Sequence, residues 1–413
     1  MLLCANYLSE PKEKRLESTA RELLDLFVRW THVIAGIMWI GNSLLFNWLD
    51  RNLRTSAQAP EGSIGKIWLL HSGAFYEVEK KLLPANTPYP DKVHWFMFQN
   101  LTTWVSGICL LIIVYYMGGA AYMIDPGVAD ISPGLAIAIG VGALIGGWLV
   151  YDLLWRSPIG KRTPLAFAIS FILLIAVSYG LAQVLSGRAA YIHVGALLGT
   201  LMTANVWFYV VPSQRELVAA SRAGLAQDPA LSYRAKQRSI HNNYMTFPVI
   251  FIMISNHFPS TYGSSLNWLI LAVLMVGSAA FRHFLNIRFT YGGWLRLAAA
   301  VTLLTIAVLV LLITRANAPP SASANTPVAF ADARAVLDRR CLGCHSASPT
   351  DTTFTVAPNG VMFDTPEQIQ RMAARIKERA VVSKTMPLGN KTGITAEERA
   401  LLGAWVDQGA SIK

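Results

Sequence analysis

Charge is scarce in this chain. Of 413 residues, 14% are Asp, Glu, Lys or Arg, acidic residues number 24, and hydrophobic residues reach 53%. That balance does not describe a soluble protein, because too few polar groups remain to face water. Cysteine is scarcer still, at four residues. Cys4 and Cys109 stand alone, so no disulfide framework is implied, and Cys109 lies inside an apolar run where a small hydrophobe packs. The net charge of +11 would suit a nucleic-acid binder only if it were clustered, yet the basic residues fall in loops between apolar runs. No nucleic acid is expected. The order of a cleavable signal peptide is also missing, since Lys12, Glu13, Lys14, Arg15 and Glu17 precede any apolar run.

What is present is a series of apolar runs long enough to cross a bilayer. They are expected at about 26–49, 94–118, 134–155, 164–186, 190–211, 242–258, 265–286 and 294–314, eight in all. Residues 1–25 form a charged lead-in. The amphipathic stretch 63–83 is too polar to cross and is expected to lie at the interface. The fold class that follows is all-α: a polytopic membrane helix bundle over 26–315, then a Pro/Ser/Ala/Asn-rich linker at 316–326 and a small domain at 327–413.

That small domain holds the most specific motif, Cys341-Leu342-Gly343-Cys344-His345. Two thiols at this spacing followed at once by histidine is the pattern of covalent haem c attachment, with the imidazole as proximal iron ligand. A redox dithiol would need an α/β context, and a zinc site would need a second Cys or His pair nearby; neither is found. Helices are expected at 329–340 and 395–409, the second opened by a capping box at Thr395-Ala396-Glu397-Glu398 and striped by Leu401, Leu402, Trp405 and Val406. Between them Met386 precedes Pro387 in a loop suited to a distal thioether ligand, with Met362 and Met372 as competitors. A thioether opposite imidazole raises the iron potential and makes an electron relay. The tail therefore reads as a class I-like cytochrome c domain with one covalent haem c.

Haem c is attached on the outer side of the bacterial cytoplasmic membrane, so the C-terminus is expected to be periplasmic, and eight spans put the N-terminus there too. Charge agrees: Arg51, Arg54, Lys66, Lys80, Lys81 and Lys92 fall in one inner loop, Arg156, Lys161 and Arg162 in the next, and Arg215, Arg222, Arg234, Lys236 and Arg238 in the third. Only the basic lead-in dissents. Six histidines lie in or beside spans, with His32, His193 and His257 towards the outer face and His94, His241 and His283 towards the inner. Imidazoles on facing helices would hold a haem b, for which His32, His193, His257 and His283 are the candidate ligands; proton carriage is the alternative.

The order of parts resembles the integral-membrane urate oxidases, or urate hydroxylases, fused to cytochrome c. The resemblance rests on Gly41-Asn42-Ser43, Asn47-Trp48-Leu49-Asp50, Trp68, His71, His94-Trp95-Phe96, Thr102-Thr103-Trp104, the segment 193–214, Arg282-His283-Phe284 and the C-terminal motif. It implies oxidation of urate to 5-hydroxyisourate, electrons passing to the tethered cytochrome and a respiratory-chain acceptor, without hydrogen peroxide. Gln99 departs from it: the family has an acidic residue there, and an amide cannot serve as a base. The candidate urate site is His94 and His241 for proton transfer, with Gln99, Asn100 and Asn242 as amides that pair with purine edges. Helix capping competes for Asn242 and Asn243. Two other readings stay open: a non-catalytic anchor relaying electrons from quinol or a partner subunit, and a dehydrogenase of another heterocycle.

Overall fold

A computed structural model describes residues 12–117, 120–316, 327–351, 354 and 356–412. Cys4, the start of the lead-in and the linker beyond residue 316 lie outside the described residues. The chain opens with the long helix α1 (Lys12–Asn52) and a hairpin, β1 (Ser63–His71) with β2 (Ala74–Lys81). Helices α2 (Phe98–Leu110), α3 (Pro133–Arg156), α4 (Thr163–Ala182), α5 (Gly187–Asn205), α6 (Val211–Arg222), α7 (Pro229–Ile254), α8 (Asn267–Asn286) and α9 (Trp294–Ala316) follow. The C-terminal domain adds α10 (Phe330–Arg340), α11 (Pro366–Ile376) and α12 (Ala396–Asp407).

Among the described residues seven helices are long and apolar enough to cross a membrane: Thr19–Asn52, Phe98–Tyr116, Pro133–Arg156, Thr163–Ala182, Gly187–Arg222, Asn267–Asn286 and Trp294–Arg315. The chain is a multi-pass membrane protein. Its outward faces bear large apolar side chains, such as Leu303 at 67% exposed and Ile172 at 64%, an arrangement suited to lipid. The eighth expected span, 242–258, does not pass on composition. Its helix is α7, which begins earlier, at Pro229, and buries Arg238, His241, Asn242, Asn243 and Thr246. Because α7 packs against α5 and α8, these polar groups face protein and need no lipid-compatible surface.

Two expectations change. The amphipathic stretch 63–83 contains a β-hairpin, Ser63–His71 with Ala74–Lys81, so the fold is mainly helical and not all-α. Ser72 (φ 52°) and Gly73 (φ 78°) make the two-residue turn that twisted antiparallel strands need, and Glu77, Glu79 and Lys81 alternate with Tyr76, Val78 and Lys80. Lys66 bridges Glu77 at 3.2 Å across the strands, and Lys80 ties the hairpin to Asp50 of α1 at 2.6 Å. Second, Asn242 and Asn243 cap nothing. They lie in the middle of α7.

Two spanning helices widen into π turns, at Leu111–Tyr116 after α2 and at Val206–Val210 between α5 and α6. The second has a cause in sequence: Pro212, near the start of α6, cannot supply the N–H that a regular helix would use there. The C-terminal domain closes over its own core of Val336, Leu337, Ile369, Leu402 and Trp405. The expected helices and the Thr395–Glu398 capping box are present. This domain docks on the bundle by close backbone approach. A side chain at Gly263, after α7, would meet the Ser383 carbonyl, and one at Gly389 would meet the Ile124 carbonyl.

A methyl group at Gly263 has no room against that carbonyl or Thr385. Gly263→Ala should therefore separate the C-terminal domain from the bundle while both remain folded. Faster proteolysis of the 383–392 loop at unchanged helical content is the expected reading.

Candidate functional site

A large cavity, about 1760 Å³, lies between the C-terminal domain and one end of the bundle. One wall carries Cys341, Cys344, His345, Met372 and Met386; the other carries Arg29, Tyr122, Asp125, Arg188, Asn256 and His257. Since α1, α5 and the turn after α7 all reach it, the start of the bundle and the C-terminal domain sit at the same end.

The motif side chains are placed by short local interactions. Cys341 ends α10, and the His345 N–H donates to the Cys341 carbonyl at 2.9 Å, folding the motif into a turn. His345 Nδ1 lies 3.0 Å from the Val361 carbonyl, which sets the tautomer and leaves Nε2 unshared. Burial lowers the His345 pKa, partly opposed by that hydrogen bond, so the ring is neutral, as an iron ligand must be. Burial pushes the Cys341 thiol up to about 12 and raises Cys344 as well. Thiols held protonated are poor redox nucleophiles, which weighs against a dithiol. Among the described residues no group of three or more His, Cys, Asp or Glu could hold a metal ion, which leaves zinc without ligands.

Met386 owes its position to Arg399, a residue the sequence reading passed over. Buried Arg399 donates to the Met386 carbonyl at 2.8 Å, to the Ala380 carbonyl, and to Asn390 Oδ1 at 3.2 Å. Met372 sits on α11 and lines the same cavity; Met362 does not line it. Phe354, Phe363 and Ile376 supply apolar lining, and Arg340, Arg375 and Lys391 supply cations. Two thiols, an oriented imidazole, a loop thioether, apolar walls and basic rim groups fit a haem c.

The membrane histidines occupy separate pockets. His193 is fully buried; its Nδ1 donates to the Ala189 carbonyl at 2.8 Å, and Nε2 accepts from Tyr116 at 3.0 Å. The π turn after α2 brings both Tyr115 and Tyr116 against this ring, and a Cβ on Gly140 would lie 2.5 Å from Nε2. His32 Nδ1 bonds the Thr103 carbonyl at 2.9 Å and its ring rests beside Gly107, leaving Nε2 unshared. His241 accepts or donates to Tyr151 at 2.6 Å and packs on Trp155; His283 pairs with Tyr244 at 2.8 Å. His257 reaches the large cavity, and His94 is exposed ahead of α2. Among the described residues no two of these rings are in contact. No step is derived through a haem b.

Asn100 and Asn242, by contrast, enter a buried polar network. Asn100 donates to Thr203 at 3.1 Å and accepts from Trp207 at 3.0 Å. Asn242 donates to the Met202 carbonyl and accepts from Asn205, which also bonds Tyr151. Gln99 leaves its buried Oε1 without a partner. Asn205, Tyr151, Arg238 and Asp152 were missed; Arg238 had counted only as loop charge, although it is buried, stacked on Tyr209 at 4.0 Å and paired with Asp152 at 4.0 Å.

Residues 18–313 match the family model described as urate oxidase N-terminal. No curated protein and no solved structure matches the chain.

One ion pair holds the motif in place. Glu398 bonds Arg340 at 2.9 Å, beside Cys341, and Arg339 at 3.3 Å. Burial alone would raise its pKa, but the hydrogen bonds from Arg340 and the Thr395 N–H outweigh that and hold the carboxyl below its ordinary range. A depressed folded pKa means the stabilisation is present above the unfolded value and is lost as pH falls through the folded one. Glu398→Gln should cost about 1.5–3 kcal/mol near neutral pH. Its difference in Tm from wild type should shrink in acid.

Proposed function

Because the chain belongs to the urate oxidase N-terminal family, which it matches over residues 18–313, we propose that it oxidises urate to 5-hydroxyisourate in the bacterial cytoplasmic membrane and passes the electrons to its own C-terminal cytochrome c domain. The observation that carries this reading is the shared cavity: the Cys341–His345 motif and Met386 open towards the helical domain, facing Arg188, Tyr122 and His257. The termini are periplasmic in this reading, which puts the loops rich in Lys and Arg on the cytoplasmic side.

The balance is simple. Urate and water give 5-hydroxyisourate, two protons and two electrons. The C-terminal domain accepts the electrons one at a time and hands each to a respiratory-chain acceptor, so hydrogen peroxide does not form at the urate site. Haem c, when bound, supplies the one-electron couple, its potential raised by a thioether ligand. Cys341 and Cys344 would fix it covalently, while Val361 orients His345 and Arg399 holds the Met386 loop. On the helical side Arg188 lies 4.5 Å over the Tyr122 ring and bonds Asn256 at 3.0 Å, which fixes the cationic face that meets the cytochrome. Within the bundle, the Tyr151–His241 and Tyr116–His193 pairs can take up and release the protons that urate oxidation produces.

Anaerobic urate should reduce the covalent haem of the intact protein, read from its absorption spectrum. Reduction by a quinol but never by urate would favour the electron-transfer anchor. Cys341→Ser should abolish haem staining of the denatured band, and Met386→Ala should lower the reduction potential. Retention of the wild-type potential in Met386→Ala would shift the ligand role to Met372.

A further inference from the structure

A second cavity, about 270 Å³, opens at the other end of the bundle, where the ends of α1 and α8 meet α7. Along α1, Arg29 at the first cavity and Trp48 at the second are separated by roughly 28 Å at the helical rise. Three guanidinium groups line this smaller space: Arg51, Arg282 and Arg288. Among the described residues none of them has a carboxylate partner, and the nearby Asp50 is already taken by Lys80 at 2.6 Å. Arg282 is only 5% exposed. Its Nε donates to Asn243 Oδ1 at 2.7 Å, and Asn286 donates to the same oxygen at 3.2 Å. That clamp fixes the guanidinium, while its terminal nitrogens donate to no described residue. Arg51 and Arg288 meanwhile act on Arg282 as like charges. A buried, oriented cation with two more around it and no acid costs free energy until an anion enters.

The rest of the lining describes that anion. Trp48 and Phe289 meet edge to face with ring centres 6.2 Å apart, and Arg288 lies 4.5 Å over Phe289, so the walls favour a flat ring. Asn286 lines the space as well, giving an amide that can pair with a lactam edge. We propose that this cavity binds a planar heteroaromatic monoanion and is the urate site. The inference rests on the functional reading above, and it moves the site from His94 and His241 to Arg51, Arg282, Arg288 and Asn286. Urate is a bicyclic lactam that carries one negative charge at neutral pH, and the cavity, at about 270 Å³, has room for it. An anionic lipid headgroup shares the charge but not the flat ring or the lactam edges.

The test uses full-length protein in detergent, with urate binding measured by titration calorimetry and anaerobic haem reduction followed by absorption. Arg51→Gln and Asn286→Ala should each weaken urate binding about ten- to hundredfold, as expected for loss of a hydrogen bond to a charged ligand. They should raise KM by a similar factor. Reduction of the covalent haem by ascorbate should be unchanged in both, which shows that they fold. Arg296→Gln, an exposed charge at the start of α9, should behave as wild type. Hypoxanthine, which is uncharged, inorganic phosphate, which is not planar, and phosphatidylglycerol should not compete with urate. Urate reduction with wild-type KM in both variants would overturn the placement and leave the functional reading standing. Displacement of urate by phosphatidylglycerol would also overturn it, in favour of a lipid site. Binding that depends on Arg51 without haem reduction would instead remove the functional reading alone. No urate binding by the wild type would remove both.

Discussion

The rest of the structure depends on one constraint: polar groups buried within an apolar bundle must find partners inside it, because lipid offers none. Helix α7 is where this matters most. It buries Arg238, His241, Asn242 and Asn243 within about one turn and a half, and each is answered from its own neighbours. Asp152 and Tyr209 meet Arg238, Tyr151 meets His241, Asn205 and the Met202 carbonyl meet Asn242, and Arg282 with Asn286 meets Asn243. Removing any single partner would strand a donor or acceptor in low dielectric. The network therefore fixes the register of α3, α5 and α8 against α7 more sharply than apolar packing alone, which tolerates sliding.

The same constraint explains why the irregular backbone sits where it does. The π turn at Leu111–Tyr116 carries two adjacent tyrosines that both meet His193. Small residues accommodate the rings: Gly107 lies beside His32 and Gly140 beside His193. These are local departures from ideal geometry whose cost is offset by satisfied imidazoles.

Two cavities at opposite ends divide the chemistry. The larger is shared by the bundle and the C-terminal domain and is lined by thiols, thioethers, an oriented imidazole and aromatic rings, the functional groups of electron transfer. The smaller is lined by amides, aromatic walls and three guanidinium groups that have no carboxylate partner among the described residues, functional groups suited to anion recognition. Separating them keeps the ligand-binding charges away from the docking face. On the proposed function electrons would have to cross the bundle, whose interior holds Trp104, Trp207, Tyr151 and His193 by hydrogen bonds.

By itself the sequence determined what depends on local pattern and covalent chemistry. Apolar runs of bilayer length define the spanning helices, the Cys341–His345 spacing defines an attachment motif, and Thr395 with Glu398 starts the last helix, because each requires only neighbouring residues. The hairpin at Ser63–Lys81 was legible in principle, since the alternation from Tyr76 to Glu79 and the Ser72-Gly73 turn are local signals, but its amphipathic composition also suits a surface helix. Tertiary structure alone decided which polar residues share a space. Arg51, Arg282 and Arg288 come from segments more than 200 residues apart, and only the meeting of the C-terminal ends of α1 and α8 gathers them around one cavity. Likewise Asn242, which reads locally as a cap, is a buried partner of Asn205. Burial changes what an amide or a guanidinium does, and burial is a property of the packed chain rather than of any stretch within it.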